Sequence, residues 1–454
     1  MPSTMQKFIS TVLGGVFFTT CLLACDGARR TGQTSVPASA QRSGTKNIIV
    51  MICDGMGYNH YQAASLFLYG EPDGQTYNAF PVRVGMSTFP AGGQYDPAGV
   101  WADFDGVTQG ATDSAAAATA MATGRKTYRY AVGVDTGRRD LRNVVEVAEK
   151  TGRATGVITS VPFSHATPAA FVVHSPTRNN YEEIARDMLE ESGLEVLMGC
   201  GHPWYDDDGR RQEPSSSYRY IGGEKTWKAL QQGTLGNDCD GDGINDPWVL
   251  IQDRQSFVKL AEGETPKRIV GIAKVAQTLQ QKRAAGGSDT AFSQPFIESV
   301  PTLVEMTGAA LNVLDDDPDG FFLMVEGGAI DWASHANQSG RMIEEQIAFD
   351  RAVARVIEWV ETHSSWKETL LIVTADHECG FLNGAGPVNR GMLRQPAMQW
   401  QSRGHTNALV PLFAKGAGAE LFKNYYQPEV DPVRGRYVDN VAVGQLIMSL
   451  LANR

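Results

Sequence analysis

Short apolar runs, each closed by a polar loop, punctuate the chain: Lys46–Cys53, Thr155–Ser160, Phe321–Val325, Thr369–Thr374 and Leu409–Ala414. Runs of this length without polar alternation predict strands of a parallel sheet covered on both faces. Between them, helices are predicted over Leu141–Lys150, Tyr181–Glu191 and Met342–Glu361, with a helix end at Gly308–Leu314. Alternation of the two predicts an α/β fold, a central mostly parallel sheet flanked by helices. From Gly199 to about Lys267 the period is lost and glycine, tryptophan and charge dominate, which predicts a peripheral insertion.

One stretch breaks from polar residues into alanine: Gly110-Ala111-Thr112-Asp113-Ser114, followed by four alanines. Alanine favours helix and Thr112 and Asp113 are good cap types, so Ser114 is predicted in the first turn of a helix. There, free N–H groups and the helix dipole favour an anion. Ser114 then reads either as part of the cap or as a nucleophile toward a phosphorus centre.

The loops at the strand ends repeat one chemistry. They carry Asp54 before two nearby glycines, His165 and Thr167, Arg178 a little further on, Glu326 with Asp331 and His335, Asp376 with His377, and His405. Each alone reads equally as a turn acid or a solvated side chain. Ligands of open α/β sheets bind beyond the carboxyl ends of the strands, and six such loops in one chain predict a site there. Asp331 and His335 fall at i and i+4, a spacing that suits two ligands of one metal. Imidazole with carboxylate suits zinc, and carboxylate with hydroxyl suits magnesium.

Composition narrows the class. A formal net charge of −11 argues against a nonspecific nucleic-acid-binding surface. Lys7 precedes an apolar run, Phe8 to Ala24, that ends Leu22-Leu23-Ala24-Cys25, the pattern of a lipoprotein-type export signal over residues 1–24. Cys25 is then a candidate lipid attachment point, residues 25–45 a flexible tether, residues 46–454 the catalytic body, and the protein periplasmic or in the cell envelope. In an oxidising compartment Cys200 and Cys239 are the favoured disulfide among Cys53, Cys200, Cys239 and Cys379. The acidic stretch with Asp238, Asp240, Asp242 and Asp246 resembles the start of a calcium loop, although Val249 stands where its closing glutamate would be.

The ordered segments Asp54-Gly55-Met56-Gly57, Thr112-Asp113-Ser114, Glu326 to Asp331, Thr374-Ala375-Asp376-His377 and Gly404-His405-Thr406 resemble those of the alkaline phosphatase family. The resemblance implies a phosphomonoester hydrolase acting through a phosphoserine at Ser114, and a homodimer. It implies one zinc on Asp331, His335 and His405, a second on Asp54, Asp376 and His377, and a magnesium on Asp54, Thr167 and Glu326. The zinc ions would activate Ser114 and the leaving group, and Arg178 would grip two phosphate oxygens. Two positions depart from the best-known bacterial pattern: His165 stands for an aspartate and Trp332 for a lysine, as in some marine and cold-adapted bacterial members. Magnesium prefers oxygen, so His165 is expected to reach it through water.

Three other readings compete. A sulfatase would need a Cys/Ser-x-Pro-x-Arg setting, absent around Ser114, and diesterases of this superfamily commonly use threonine. A serine hydrolase would show Gly-x-Ser-x-Gly, also absent there. A noncatalytic lipoprotein binding calcium through its acidic loop has no reason to keep the whole ligand set.

Overall fold

The computed structural model describes residues 44–284, 289–382 and 386–452. The export signal, Cys25 and all but the end of the tether lie outside the described residues. No helix among the described residues is long and apolar enough to cross a membrane.

In chain order the elements that matter here are β1 (Asn47–Cys53), α1 (Tyr58–Tyr69), β2 (Val82–Ser87), α2 (Ser114–Thr123), α3 (Val144–Lys150) and β3 (Ala154–Pro162). They continue through α4 (Ala166–Ala170), α5 (Tyr181–Glu190), β4 (Val196–Cys200), β5 (Val249–Ile251), β6 (Ile269–Ile272) and α6 (Leu303–Leu314). The last are β7 (Phe321–Gly327), α7 (Ala329–His335), α8 (Ser339–His363), β8 (Thr369–Thr374), β9 (Val410–Gly416), β10 (Tyr437–Asp439) and α9 (Val441–Ala452).

These ten strands form one sheet in the order β10-β2-β9-β8-β1-β7-β3-β4-β6-β5. Among the described residues its pairings are parallel except where β9 runs antiparallel between β8 and β2. β1 lies at the centre, with Ile52 opposite both Thr374 and Glu326. All seven of its residues are buried, which is why the run needs no polar alternation. Because β9 is reversed, the loop before it, carrying His405, reaches the same sheet edge as the loops that follow β1, β7 and β8. That edge is where the chemistry gathers.

The α2 helix is buried at every residue and packs against α4 and α9. Its small side chains let the neighbours come close: a Cβ on Gly444 of α9 would lie 2.4 Å from the Gly124 nitrogen. Asp113 caps it, accepting from Ala116 N–H at 3.3 Å. In α3 the Asn143 side chain and Glu146 form a reciprocal cap, so the helix begins at Val144 rather than at Leu141.

Residues 199–267 are not wholly apart from the sheet. β5 forms its edge by pairing parallel with β6. The expected Cys200–Cys239 disulfide is not formed; Cys53, Cys200, Cys239 and Cys379 are all free thiols. Cys200 ends an interior strand and donates to the Ser160 carbonyl at 3.3 Å. Cys239 sits in the acidic loop and donates to the Asp246 carboxylate at 3.2 Å.

Candidate active site

Ser114 is the first residue of α2 and its Oγ lies 3.2 Å from His377 Nε2. The same imidazole nitrogen is 3.2 Å from an Asp376 oxygen and 3.5 Å from an Asp54 oxygen. Asp54 follows β1 and His377 follows β8, neighbouring strands in register, so adjacent strand ends place these groups together. Burial and carboxylate repulsion push both acids up: Asp54 through burial, then Asp376 and Asp331, and Asp376, chiefly by burial, to about 6.

A second group stands beside the first. On α7, His335 Nε2 is 3.3 Å from one Asp331 oxygen, and His405 Nε2 is 3.4 Å from the other. His405 Nδ1 donates to the Thr112 carbonyl at 2.8 Å and His335 Nδ1 donates to the Arg403 carbonyl. With Nδ1 committed, each ring turns an Nε2 lone pair inward, and the two Nε2 atoms are 3.0 Å apart. Neutral lone pairs facing each other at that distance repel unless a cation lies between them. Without such an ion, Asp331 raises His335 to about 9, so a proton would serve instead.

Buried polar atoms without a hydrogen-bond partner mark the same place: Asp54 Oδ1, Asp331 Oδ1, Asp376 Oδ2 and Thr167 Oγ1. Leaving such groups unsatisfied costs about 1–3 kcal/mol each, more when charged. The donor sets Asp331, His335 and His405, and Asp54, Asp331 and His377, each gather within 4.8 Å. Convergent oxygen and imidazole donors, several of their buried oxygens without a hydrogen-bond partner, fit divalent metal ions.

Glu326 is in-strand in β7, opposite Thr159 of β3, whose hydroxyl donates to it. Burial pushes its carboxyl up to about 7. Arg178 reaches the site from the loop before α5, and Asp113 Oδ2 holds its Nη1 at 3.1 Å. Gly55 keeps the two metal-side groups close: its φ is +79°, and a Cβ there would lie 2.8 Å from Asp331 Cα.

His165 stands just before α4 in a nest of aromatic rings, Tyr181 at 5.0 Å, Trp332 at 5.2 Å and Tyr220 at 5.4 Å between centroids. Burial, with the nearby Arg178 and Arg219, lowers it to about 3, so it is neutral. Its Nε2 has no hydrogen-bond partner.

The acidic loop lies elsewhere. Asp238, Asp240 and Asp246 come together while Asp242 does not join them. The Lys267 ammonium lies 2.7 Å from Asp240 and 2.8 Å from Asp246, neutralising part of their charge.

Several site residues gave no signal in the sequence. Thr159 is one polar residue inside an apolar run, and Tyr220 and Arg219 lie in the stretch without period. Asp113 was legible as a helix cap, but its grip on Arg178, 65 positions away, is a product of the fold. Glu378 is another: it accepts from Thr406 at 2.5 Å, tying the His377 loop to the His405 loop.

The fold and site define an α/β protein with paired carboxylate–imidazole groups around a serine at a helix N-terminus. The sequence matches the family described as alkaline phosphatase over residues 45–392, and the chain belongs to that family. It is 31% identical over 388 residues to the alkaline phosphatase of Escherichia coli K12, covering 78% of this chain and 75% of that one. Alkaline phosphatase 3 of Bacillus subtilis 168 is 32% identical over 349 residues, covering 74% of this chain; the chain spans 61% of that relative's length. The fold is also that of the alkaline phosphatase from the Antarctic bacterium TAB5, with a TM-score of 0.63 at 24% identity, covering 90% of this chain and 99% of that one.

Proposed function

We propose that this chain is a metal-dependent phosphomonoester hydrolase with Ser114 as nucleophile. The observation that carries the reading is the convergence of two carboxylate–imidazole groups beside Ser114, with one buried oxygen on each of Asp54, Asp331 and Asp376 lacking a hydrogen-bond partner. Asp331, His335 and His405 would hold one zinc, Asp54, Asp376 and His377 the second, and Asp54, Thr167 and Glu326 a magnesium. When bound, these ions supply Lewis-acid stabilisation of negative charge on the attacking and leaving oxygens.

The chain's own groups do the rest. Ser114 Oγ bonds to phosphorus as the ester P–O bond breaks, giving phosphoserine and an alcohol. Water then bonds to phosphorus as the Ser114 Oγ–P bond breaks, releasing inorganic phosphate. Free N–H groups in the first turn of α2 face the anion. Arg178, aimed by Asp113, donates in a fork to two phosphoryl oxygens. His165, neutral, would reach a bound magnesium through water rather than ligate it directly.

The Ser114–His377 contact alone would also suit a serine hydrolase. In a triad, however, the far nitrogen of the imidazole is held by an acid, and His377 Nδ1 is buried with no partner. His377 faces its carboxylates with the same nitrogen that faces the serine, as a metal ligand does.

Export with lipid attachment at Cys25 completes the reading, supported by the apolar run that ends at that cysteine.

The test is metal analysis of the purified protein, with hydrolysis of a phosphate monoester and a diester measured before and after chelation. Zinc in the protein, preference for the monoester and loss of activity on chelation are expected. Ser114→Ala removes turnover and leaves the zinc content unchanged. Absence of zinc with activity that survives chelation overturns the reading.

A further inference from the structure

Arg219 belongs to the stretch that reads from sequence as peripheral, yet the fold carries it to the rim of the site. Its guanidinium lies 4.8 Å from the Tyr181 ring centre and 4.4 Å from that of Tyr220, and it donates to the Tyr220 hydroxyl. Both rings pack on His165, which also packs against Trp332, the residue after Asp331. The turn that carries Arg219 is pinned: Ser164, next to His165, donates to the Tyr220 carbonyl at 3.2 Å, and Ile221 is fully buried. Arg219 itself is exposed, and no carboxylate among the described residues pairs with it.

A guanidinium stacked on aromatic faces has lost much of its freedom before any ligand arrives, and beyond its bond to the Tyr220 hydroxyl it keeps exposed N–H donors for a ligand. Preorganised, unpaired and beside the phosphoryl site, such a group is built to receive an anion. Arg178 is already engaged by Asp113 and assigned to the phosphoryl oxygens, so Arg219 is free for a different anion.

We propose that Arg219 is a second anion-binding group of the substrate site, selecting phosphate monoesters whose alcohol part carries a carboxylate or a further phosphate. The proposal rests on the phosphomonoesterase reading and deepens it. Tyr181 and Tyr220 are positioning residues that hold the guanidinium in place.

A matched pair of substrates tests it: 3-phosphoglycerate, with a carboxylate, against glycerol 3-phosphate, with a neutral hydroxymethyl group in its place. The wild-type enzyme is expected to show the higher kcat/KM for 3-phosphoglycerate. Arg219→Ala lowers that value about tenfold and leaves glycerol 3-phosphate within about twofold. Arg219→Lys, which keeps the charge without the fork, falls between. Equal loss on both substrates, or no loss on either, overturns the proposal while the phosphomonoesterase reading stands. Failure of the wild-type enzyme to hydrolyse either one would overturn both. An unchanged melting temperature in Arg219→Ala confirms that the fold is intact.

Discussion

Asp113 and Arg178 are joined by an ion pair of 3.1 Å, and the same carboxylate caps the helix that begins with Ser114. One side chain therefore sets both the position of the serine and the aim of the guanidinium. A third contact, from Tyr130 N–H at 3.0 Å, fixes the carboxylate in turn.

Asp113→Ala removes the cap, worth about 1 kcal/mol, and frees Arg178. The expected outcome is a fall in monoester kcat/KM of about 10- to 100-fold, with weaker inhibition by inorganic phosphate. Asp113→Asn, which still caps the helix but carries no charge toward Arg178, is expected to restore stability and not phosphate affinity. Steady-state kinetics with thermal denaturation separates the two roles.

Gly55→Ala places a methyl group 2.8 Å from Asp331 Cα at a backbone angle that disfavours side chains. Either the Gly55 loop or the start of α7 with Asp331 must shift, disturbing the register of Asp331 against Asp54 and His405. If the proposed two-zinc site is right, zinc stoichiometry falls from two toward one, read by elemental analysis after dialysis. Retention of both ions shows that the loop absorbs the change.

Trp332→Lys adds a cation beside Asp331 and the phosphoryl site. The native indole already carries the Lys282 ammonium 5.5 Å from its centre, so positive charge is supplied at one remove. Bringing it nearer is expected to tighten inhibition by inorganic phosphate, and Lys282→Met to weaken it. An unchanged inhibition constant in Trp332→Lys refutes this electrostatic account.

Away from the site, Glu195 sets a pH dependence. Burial raises its carboxyl to about 8, and Glu149, itself raised by burial to about 7, adds to the rise. The folded state thus holds a proton that the unfolded chain releases near pH 4.5. This contribution is fully present below that pH and is lost as pH rises toward 8. Glu195→Gln can still accept from Thr155 N–H, the contact Glu195 makes at 2.6 Å. It is expected to be more stable than wild type at pH 9 by about 1 kcal/mol or more and to differ little at pH 5, measured by denaturant unfolding.

Much of this architecture was legible in one dimension. Seven successive buried residues in β1 leave no alternative to a central strand, and the alanine run after Ser114 encodes a helix whose neighbours lie close. The carboxylates and imidazoles that gather at the sheet edge were legible too, because Asp331 with His335 and Asp376 with His377 are near neighbours in sequence, and the family motifs quote them in order. Local spacing fixes such pairs before the chain folds.

What the sequence left open depends on contacts between distant segments. The reversal of β9 brings His405 to the common sheet edge, and nothing in its own apolar run states a direction. Cys200 and Cys239 share a region of sequence, but one ends an interior strand and the other lies in the acidic loop, so the expected bridge does not form. Lys267 closes the acidic loop from 21 positions beyond Asp246, a partner that no local pattern announces. Arg219 needed the whole fold to meet Tyr181 and His165. Short-range order follows from periodicity and spacing; partners far apart in the chain are chosen only when burial forces each polar group to find one.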